Sequence, residues 1–173
     1  ETTQNTVVFE LSEETKDIKV NEAIQFFPVT ELGQEGIIKY TLEEEIEETF
    51  GHQIRFVFRH FPLANAHEFA FPAAVAAEAA GLQGKFWEMH DALYENQYRL
   101  NVDLFDELAE TIGLDLEQFQ RDSASEEIKQ KIEDDFDSGV RSGVNGTPSF
   151  YVNGTKFDGG ATDLYQMLKE SAE

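Results

Sequence analysis

Cysteine is absent from all 173 residues. That excludes a disulfide, a thiolate metal site, a cysteine nucleophile and a dithiol redox couple, since each needs at least one sulfur. An absence of this kind is compatible with any redox compartment. Basic residues are also scarce, 13 against 35 acidic ones, for a formal net charge of −22. Nucleic acid and anionic membrane surfaces both require cationic counter-surfaces, so neither is an expected partner. Nor does any apolar run approach the ~18 residues of a membrane span. Proline occurs only four times and tryptophan once.

What is present is a globular composition. Hydrophobic residues make up 40%, and the 15 phenylalanines are spread along the chain, which argues against disorder despite the charge. The length fits one domain with room for an insertion. The first residue is Glu1 rather than Met, and no signal peptide is visible. The expectation is that the ends were trimmed and that targeting information lies elsewhere.

Periodicity orders the chain. Val7-Val8-Phe9-Glu10-Leu11 reads as a short strand or arm, and Ala23 to Val29 as a strand ended by Pro28. Gly33-Gln34-Glu35-Gly36 is a turn. Ile38, Leu42, Ile46 and Phe50 then repeat at four-residue steps, predicting a helix over Ile37 to Phe50 that stops at Gly51. Ile54 to Arg59 alternates as the second strand of a parallel β-α-β unit. Helical spacing follows over His67–Ala80, Phe86–Tyr98, Leu104–Ile112, Leu116–Asp122 and Glu126–Ser142. Breaks fall at Gly81, Gly84, Asn101 and Gly113-Leu114-Asp115, and Ser123 and Ser125 are candidate caps. Ser149–Val152 and Thr155–Phe157 flank Asn153-Gly154, a strong hairpin signal, before a last helix near Thr162–Ser171.

The expected class is therefore α/β, a thioredoxin-like βαβ…ββα fold with an inserted helical domain. Residues 1–19 form an N-terminal arm or extra strand, 20–63 the βαβ half, 64–142 the helical insertion and 143–173 the ββα half. Three segments carry a resemblance to the DsbA-like thioredoxin family. They are Ile54-Arg55-Phe56-Val57-Phe58-Arg59-His60-Phe61-Pro62-Leu63, then Ala76 to Ala80 with Gly84 to Asp91, and Gly143-Val144-Asn145-Gly146-Thr147-Pro148-Ser149-Phe150. The resemblance covers roughly residues 20 to 172.

It implies a cis Thr147-Pro148 bond and a peptide-binding edge formed by Val144, Gly146, Thr147 and Pro148. Read from residues alone, a trans proline starting a strand stays open. The family's Cys-x-x-Cys falls on Gly33-Gln34-Glu35-Gly36, so the chain departs from the pattern where the family's chemistry resides. Thiol–disulfide exchange by these residues is chemically impossible. The resemblance then implies a redox-inactive member binding extended or unfolded polypeptide, or a protein partner, with no cofactor. Two alternatives stand beside it: a Cys-free variant or homologue of a protein disulfide oxidoreductase, and a glutathione-binding enzyme like the kappa-class transferases. The residues leave the compartment open, a cytoplasmic one included; by resemblance alone, a periplasmic, cell-envelope or secreted location is favoured.

Other candidates are bland. His60, His67 and His90, with Glu68 and Glu88 nearby, match no compact metal-ligand spacing and read as structural histidines. Acidic pairs such as Asp134-Asp135 occur by chance in so acidic a chain, with no burial signal attached. Glycine turns at 143–146 and 158–160 lack the lysine of a phosphate loop. Phe9, Phe26, Phe27, Phe56, Phe58 and Phe61 are expected in the core, and Phe69 and Phe71 between the two subdomains.

Overall fold

A continuous apolar run, Phe56-Val57-Phe58, with neighbouring Val57 and Phe58 both buried, suits Arg55–His60 to a strand covered on both faces, β2, whose partner in the sheet is β1, Asp17–Glu22. The structure is a computed structural model and describes residues 17–22, 55–152 and 154–171. β1 and β2 run parallel, with Val20 opposite Phe58. On its other side β1 pairs antiparallel with β3, Ser149–Val152, and β3 pairs antiparallel with β4, Thr155–Phe157. The sheet order is thus β2-β1-β3-β4.

The described first strand lies six residues before the expected one. Asp17–Glu22 alternates polar and apolar residues with only Ile18 and Val20 apolar. Ladders on both edges, rather than hydrophobicity, define it as a strand. Val7–Leu11, Ala23–Val29, the Gly33–Gly36 turn and the helix over Ile37–Phe50 lie outside the described residues.

Between β2 and β3 come five α-helices: α1 Ala70–Gly81, α2 Phe86–Glu95, α3 Val102–Thr111, α4 Leu116–Ser123 and α5 Glu126–Arg141. A 3₁₀ turn, Gln97–Arg99, extends α2, and α6, Ala161–Ser171, follows the hairpin. α1 begins three residues after the expected His67. Leu63 accepts backbone hydrogen bonds from both Ala66 and His67, and this turn delays the helix. Asn101, Asp115 and Ser125 cap α3, α4 and α5 with their side-chain oxygens. Ser123 closes α4 and is not a cap.

α1 organises the insertion. Every residue from Ala73 to Ala80 is buried, and the helix packs on α2, α3, α4 and α5. Methyl side chains permit that close approach on all sides, so the helix has no polar face. Phe58 joins this core from the sheet with Phe86, Met89, Leu93, Phe119 and Ile132. Phe61 begins a smaller cluster with Val144 and Tyr151, flanked by Leu63 and Phe136.

Candidate functional site

α5 terminates in a way that sets the loop before β3. Gly143 has φ +81°, a left-handed conformation that costs glycine little. Its N–H donates to the Val140 carbonyl at 3.1 Å, and the Val144 N–H donates to Gly139 at 2.9 Å. These two bonds form a Schellman motif, which satisfies the last carbonyls of the helix and reverses the chain. Val144 thereby enters the Phe61 cluster, only 6% exposed.

The next residues turn outward. Gly146 and Thr147 are half-buried, Pro148 is exposed, and the Thr147–Pro148 peptide bond is cis. Two hydrogen bonds brace the loop. The Ser149 hydroxyl donates to the Gly146 carbonyl at 2.7 Å, and the Tyr151 hydroxyl donates to Ser142, also at 2.7 Å. Burial pushes the Tyr151 phenol up from its ordinary value, so it remains a donor at neutral pH. Among the described residues, a Cβ placed on Gly146 would meet nothing within 4 Å. Val144, Gly146, Thr147 and Pro148 therefore share one short braced loop, whereas Gly33, Gln34, Glu35 and Gly36 lie outside the described residues.

Packing under the loop predicts an outcome. A Cβ on Gly139 would lie 2.7 and 2.9 Å from two ring carbons of Phe61, itself stacked on Phe136 at 4.5 Å. Gly139→Ala would gain ~1 kcal/mol of helix propensity. Overpacking of a ring held on both sides costs about 1–3 kcal/mol. A net loss is expected, with altered amide shifts from Val144 to Ser149. Urea unfolding checks it, and a more stable variant would show that Phe61 yields freely.

Beside this cluster lies an ionic network that sequence reasoning missed. His60 and Glu78 have fully buried side chains, joined by a 2.8 Å contact between Nε2 and Oε1. Lys131 donates to the same Glu78 oxygen at 2.6 Å and to Asp135 at 3.3 Å. Arg59 donates to Asp135 at 2.7 Å, and the His60 backbone N–H donates to that carboxylate at 3.2 Å. β2, α1 and α5 are therefore tied by charge. Burial raises the Glu78 pKa, but His60 and Lys131 outweigh it and hold the carboxyl below its ordinary 4.5.

Asp135, expected as a chance surface acid, is 2% exposed. The available signal was Glu78 itself, a lone charge within Ala73–Ala80. His90 is buried in an aromatic setting, its Nδ1 3.0 Å from Asp91, and His67 stands in the turn before α1. Among the described residues no three His, Asp or Glu side chains are disposed to hold a metal ion. No helix among them is long and apolar enough to cross a membrane.

Sheet order, strand directions and the helical block between β2 and β3 define a thioredoxin-like α/β protein with a helical insertion. More narrowly, the chain belongs to the DSBA-like thioredoxin domain family, whose model matches residues 44–171. A thioredoxin-like oxidoreductase from Silicibacter pomeroyi is similar in structure, with a TM-score of 0.71, 25% identity and coverage of 97% of this chain and 92% of that one. MdbA, a thiol-disulfide oxidoreductase from Corynebacterium diphtheriae, shares the fold with a TM-score of 0.75 at 16% identity, covering 95% and 90% of the two chains.

Curated relatives by sequence are of another description. The Na(+)/H(+) antiporter NhaA 1 of Salinispora arenicola is 47% identical over 107 residues, 61% of this chain and 16% of that protein. The Na(+)/H(+) antiporter NhaA 1 of Mycolicibacterium vanbaalenii is 40% identical over 118 residues, 67% of this chain and 19% of that protein. The chain spans less than a fifth of the length of these relatives.

Proposed function

We propose that this chain is a redox-inactive DsbA-like domain that binds extended polypeptide, or an extended segment of a protein partner, beside Val144, Gly146, Thr147 and Pro148. The supporting observation is a DsbA-like fold without cysteine whose loop before β3 is nevertheless braced from both ends. Gly33-Gln34-Glu35-Gly36 stands where the family carries its cysteine pair, so the interaction is binding without covalent exchange. The expected unit division is an arm over 1–19, the βαβ half over 20–63, the insertion over 64–142 and the ββα half over 143–173. The strand Asp17–Glu22 spans the first of these boundaries.

Gly146 supplies the test. A Cβ there meets no described residue within 4 Å, so Gly146→Leu is expected to fold while filling space that a peptide would use. An unfolded, Cys-free peptide should give saturable amide shifts from Val144 to Ser149, and the variant should bind about tenfold more weakly or worse. Equal binding by the two proteins would overturn the reading. Saturable shifts with glutathione alone would support a glutathione-binding enzyme instead.

A second reading is favoured by the curated relatives. Since they are named Na(+)/H(+) antiporters, the partner or host of such a domain is a cation–proton antiporter. Deleting the matching domain from the Salinispora arenicola protein, then supplying this chain in its place, tests that reading. Sodium-dependent proton movement should fall on deletion and return on replacement, whereas unchanged transport in both cases would count against it.

A further inference from the structure

A groove of about 470 Å³ lies between the β2–α1 connection and α5, on a surface distinct from the loop at 144–148. Leu63, Phe71, Ile132 and Phe136 line it, and its rim on the α5 side carries Glu133 and Asp137. The helix repeat explains this layout. Ile132 and Phe136 are one turn apart and face inward, while Glu133 and Asp137 form the adjacent, exposed row. The opposite rim, Ala64-Asn65-Ala66, carries no charge.

The acidic row is not neutralised. Among the described residues neither Glu133 nor Asp137 forms an ion pair; Arg141, one turn beyond Asp137 on the same helix, does not reach it, and the other nearby cations are engaged elsewhere. Lys131 is held by Glu78 and Asp135, and Arg59 by Asp135. The net charge of −22 adds a field of the same sign. A second copy of this chain would be repelled, and so would an acidic peptide.

We infer that this groove docks an amphipathic helical segment of a protein partner, with bulky apolar side chains inserted between Phe71 and Phe136 and lysine or arginine along its α5-facing flank. The arrangement is helix-in-groove recognition, in which apolar anchors supply affinity and the charged row sets orientation. One-sided charge makes the orientation specific: a basic row on the opposite flank would face Ala64-Asn65-Ala66 and find no counter-charge.

The occupant would also sense the neighbouring cluster. Phe136 lies over Phe61, which packs with Val144 and Tyr151. Docking should therefore move resonances in the groove first and those of Val144 second.

The test uses the whole chain and two synthetic helical peptides of about 14 residues. Both carry Leu and Phe on one face; one has lysine along a single flank, and the other has glutamate there. The lysine peptide should bind saturably, with the largest shifts at Leu63, Phe71 and Phe136. Its affinity should fall about tenfold between about 50 and about 500 mM NaCl. The double variant Glu133→Lys/Asp137→Lys changes only exposed side chains, so it should fold. It should lose about tenfold for the lysine peptide and gain binding of the glutamate peptide.

That reversal is a readout that nonspecific attraction to an acidic protein would not produce. Shifts scattered over the surface, or affinity indifferent to the double variant, would overturn the inference. Concentration-dependent self-association that protects the groove would overturn it in favour of a second copy. Gly146→Leu should leave this binding intact, which separates its failure from that of the loop at 144–148.

Discussion

Glu78→Ala is expected to cost about 3–5 kcal/mol of folding stability, the range for removing one partner from a buried ion pair. The argument rests on what stays behind. His60 and Lys131 both aim at Glu78 Oε1, and the His60 side chain has no exposure to water. Without the carboxylate, Lys131 retains only the longer contact to Asp135, at 3.3 Å, and His60 Nε2 loses the contact it makes here. Domains of this size have typical stabilities of about 5–15 kcal/mol, so the variant would stand near the threshold of folding. Urea unfolding at neutral pH measures the loss, and a cost below about 1 kcal/mol would show that water reaches the site.

Replacing the three side chains that meet at Glu78 Oε1 should behave differently. His60→Leu/Glu78→Leu/Lys131→Met removes the Glu78–Lys131 pair and the imidazole beside it together, leaves Asp135 to Arg59, and is expected to recover much of the loss, because buried pairs barely repay their desolvation. If the triple variant is no better than Glu78→Ala, the network specifies packing as well as charge balance.

Acid should expose the same carboxylate. Its folded pKa lies below its ordinary 4.5, so its contribution to stability is complete above that value. The contribution is lost as pH falls through the lower folded pKa, where the folded carboxylate takes up its proton. With 35 acidic residues the bare acid curve is not diagnostic. The gap between wild type and Glu78→Gln is diagnostic: it should be widest above pH 4.5 and close as Glu78 protonates in the folded state.

This network marks where the sequence stopped being legible. The hairpin was readable because Asn153-Gly154 encodes its turn locally, and Gly154 indeed has φ +79°. Helices α2 to α5 were readable because their apolar repeats are local as well, as are the caps of α3 to α5. Glu78 and Lys131 are 53 residues apart, and His60 and Asp135 are 75 apart. No periodicity links residues at such distances, so burial of Asp135 had no signature within its own helix. β1 was hidden for a related reason. A central parallel strand usually reads as a continuous apolar run. Ala23–Val29 fits that description better than Asp17–Glu22, whose strand identity comes from its partners β2 and β3. In the candidate site, the loop Val144–Pro148 was picked out only by the resemblance of Gly143–Phe150 to the family's segment. Its bracing by Tyr151 and Ser149 required the sheet to form first.

Phe58→Ala is expected to be as damaging as the loss of Glu78, at about 3–5 kcal/mol. The ring is 1% exposed and belongs to β2, yet its neighbours belong mostly to the insertion. Its centroid lies 5.4 Å from Phe86, 5.9 Å from Trp87 and 5.4 Å from His90, all edge-on. These three residues occupy the first turns of α2, so one ring ties the sheet to the helical block. It also stands edge-on to His60 at 5.1 Å, which helps to keep the His60–Glu78 pair dry. Truncation would leave a cavity beside that pair, and water entering it would weaken the ionic tie between β2, α1 and α5. Trp87 is the single tryptophan, so its fluorescence reports on this junction without labelling. In the parent protein, fluorescence and far-ultraviolet circular dichroism should follow one urea transition, because the shared ring makes sheet and insertion a single cooperative unit. In Phe58→Ala both transitions should move to lower urea, with the fluorescence transition preceding the loss of helix. Coincident transitions in the variant would mean that the remaining contacts between β2 and α5 suffice to couple the two parts without the aromatic ring.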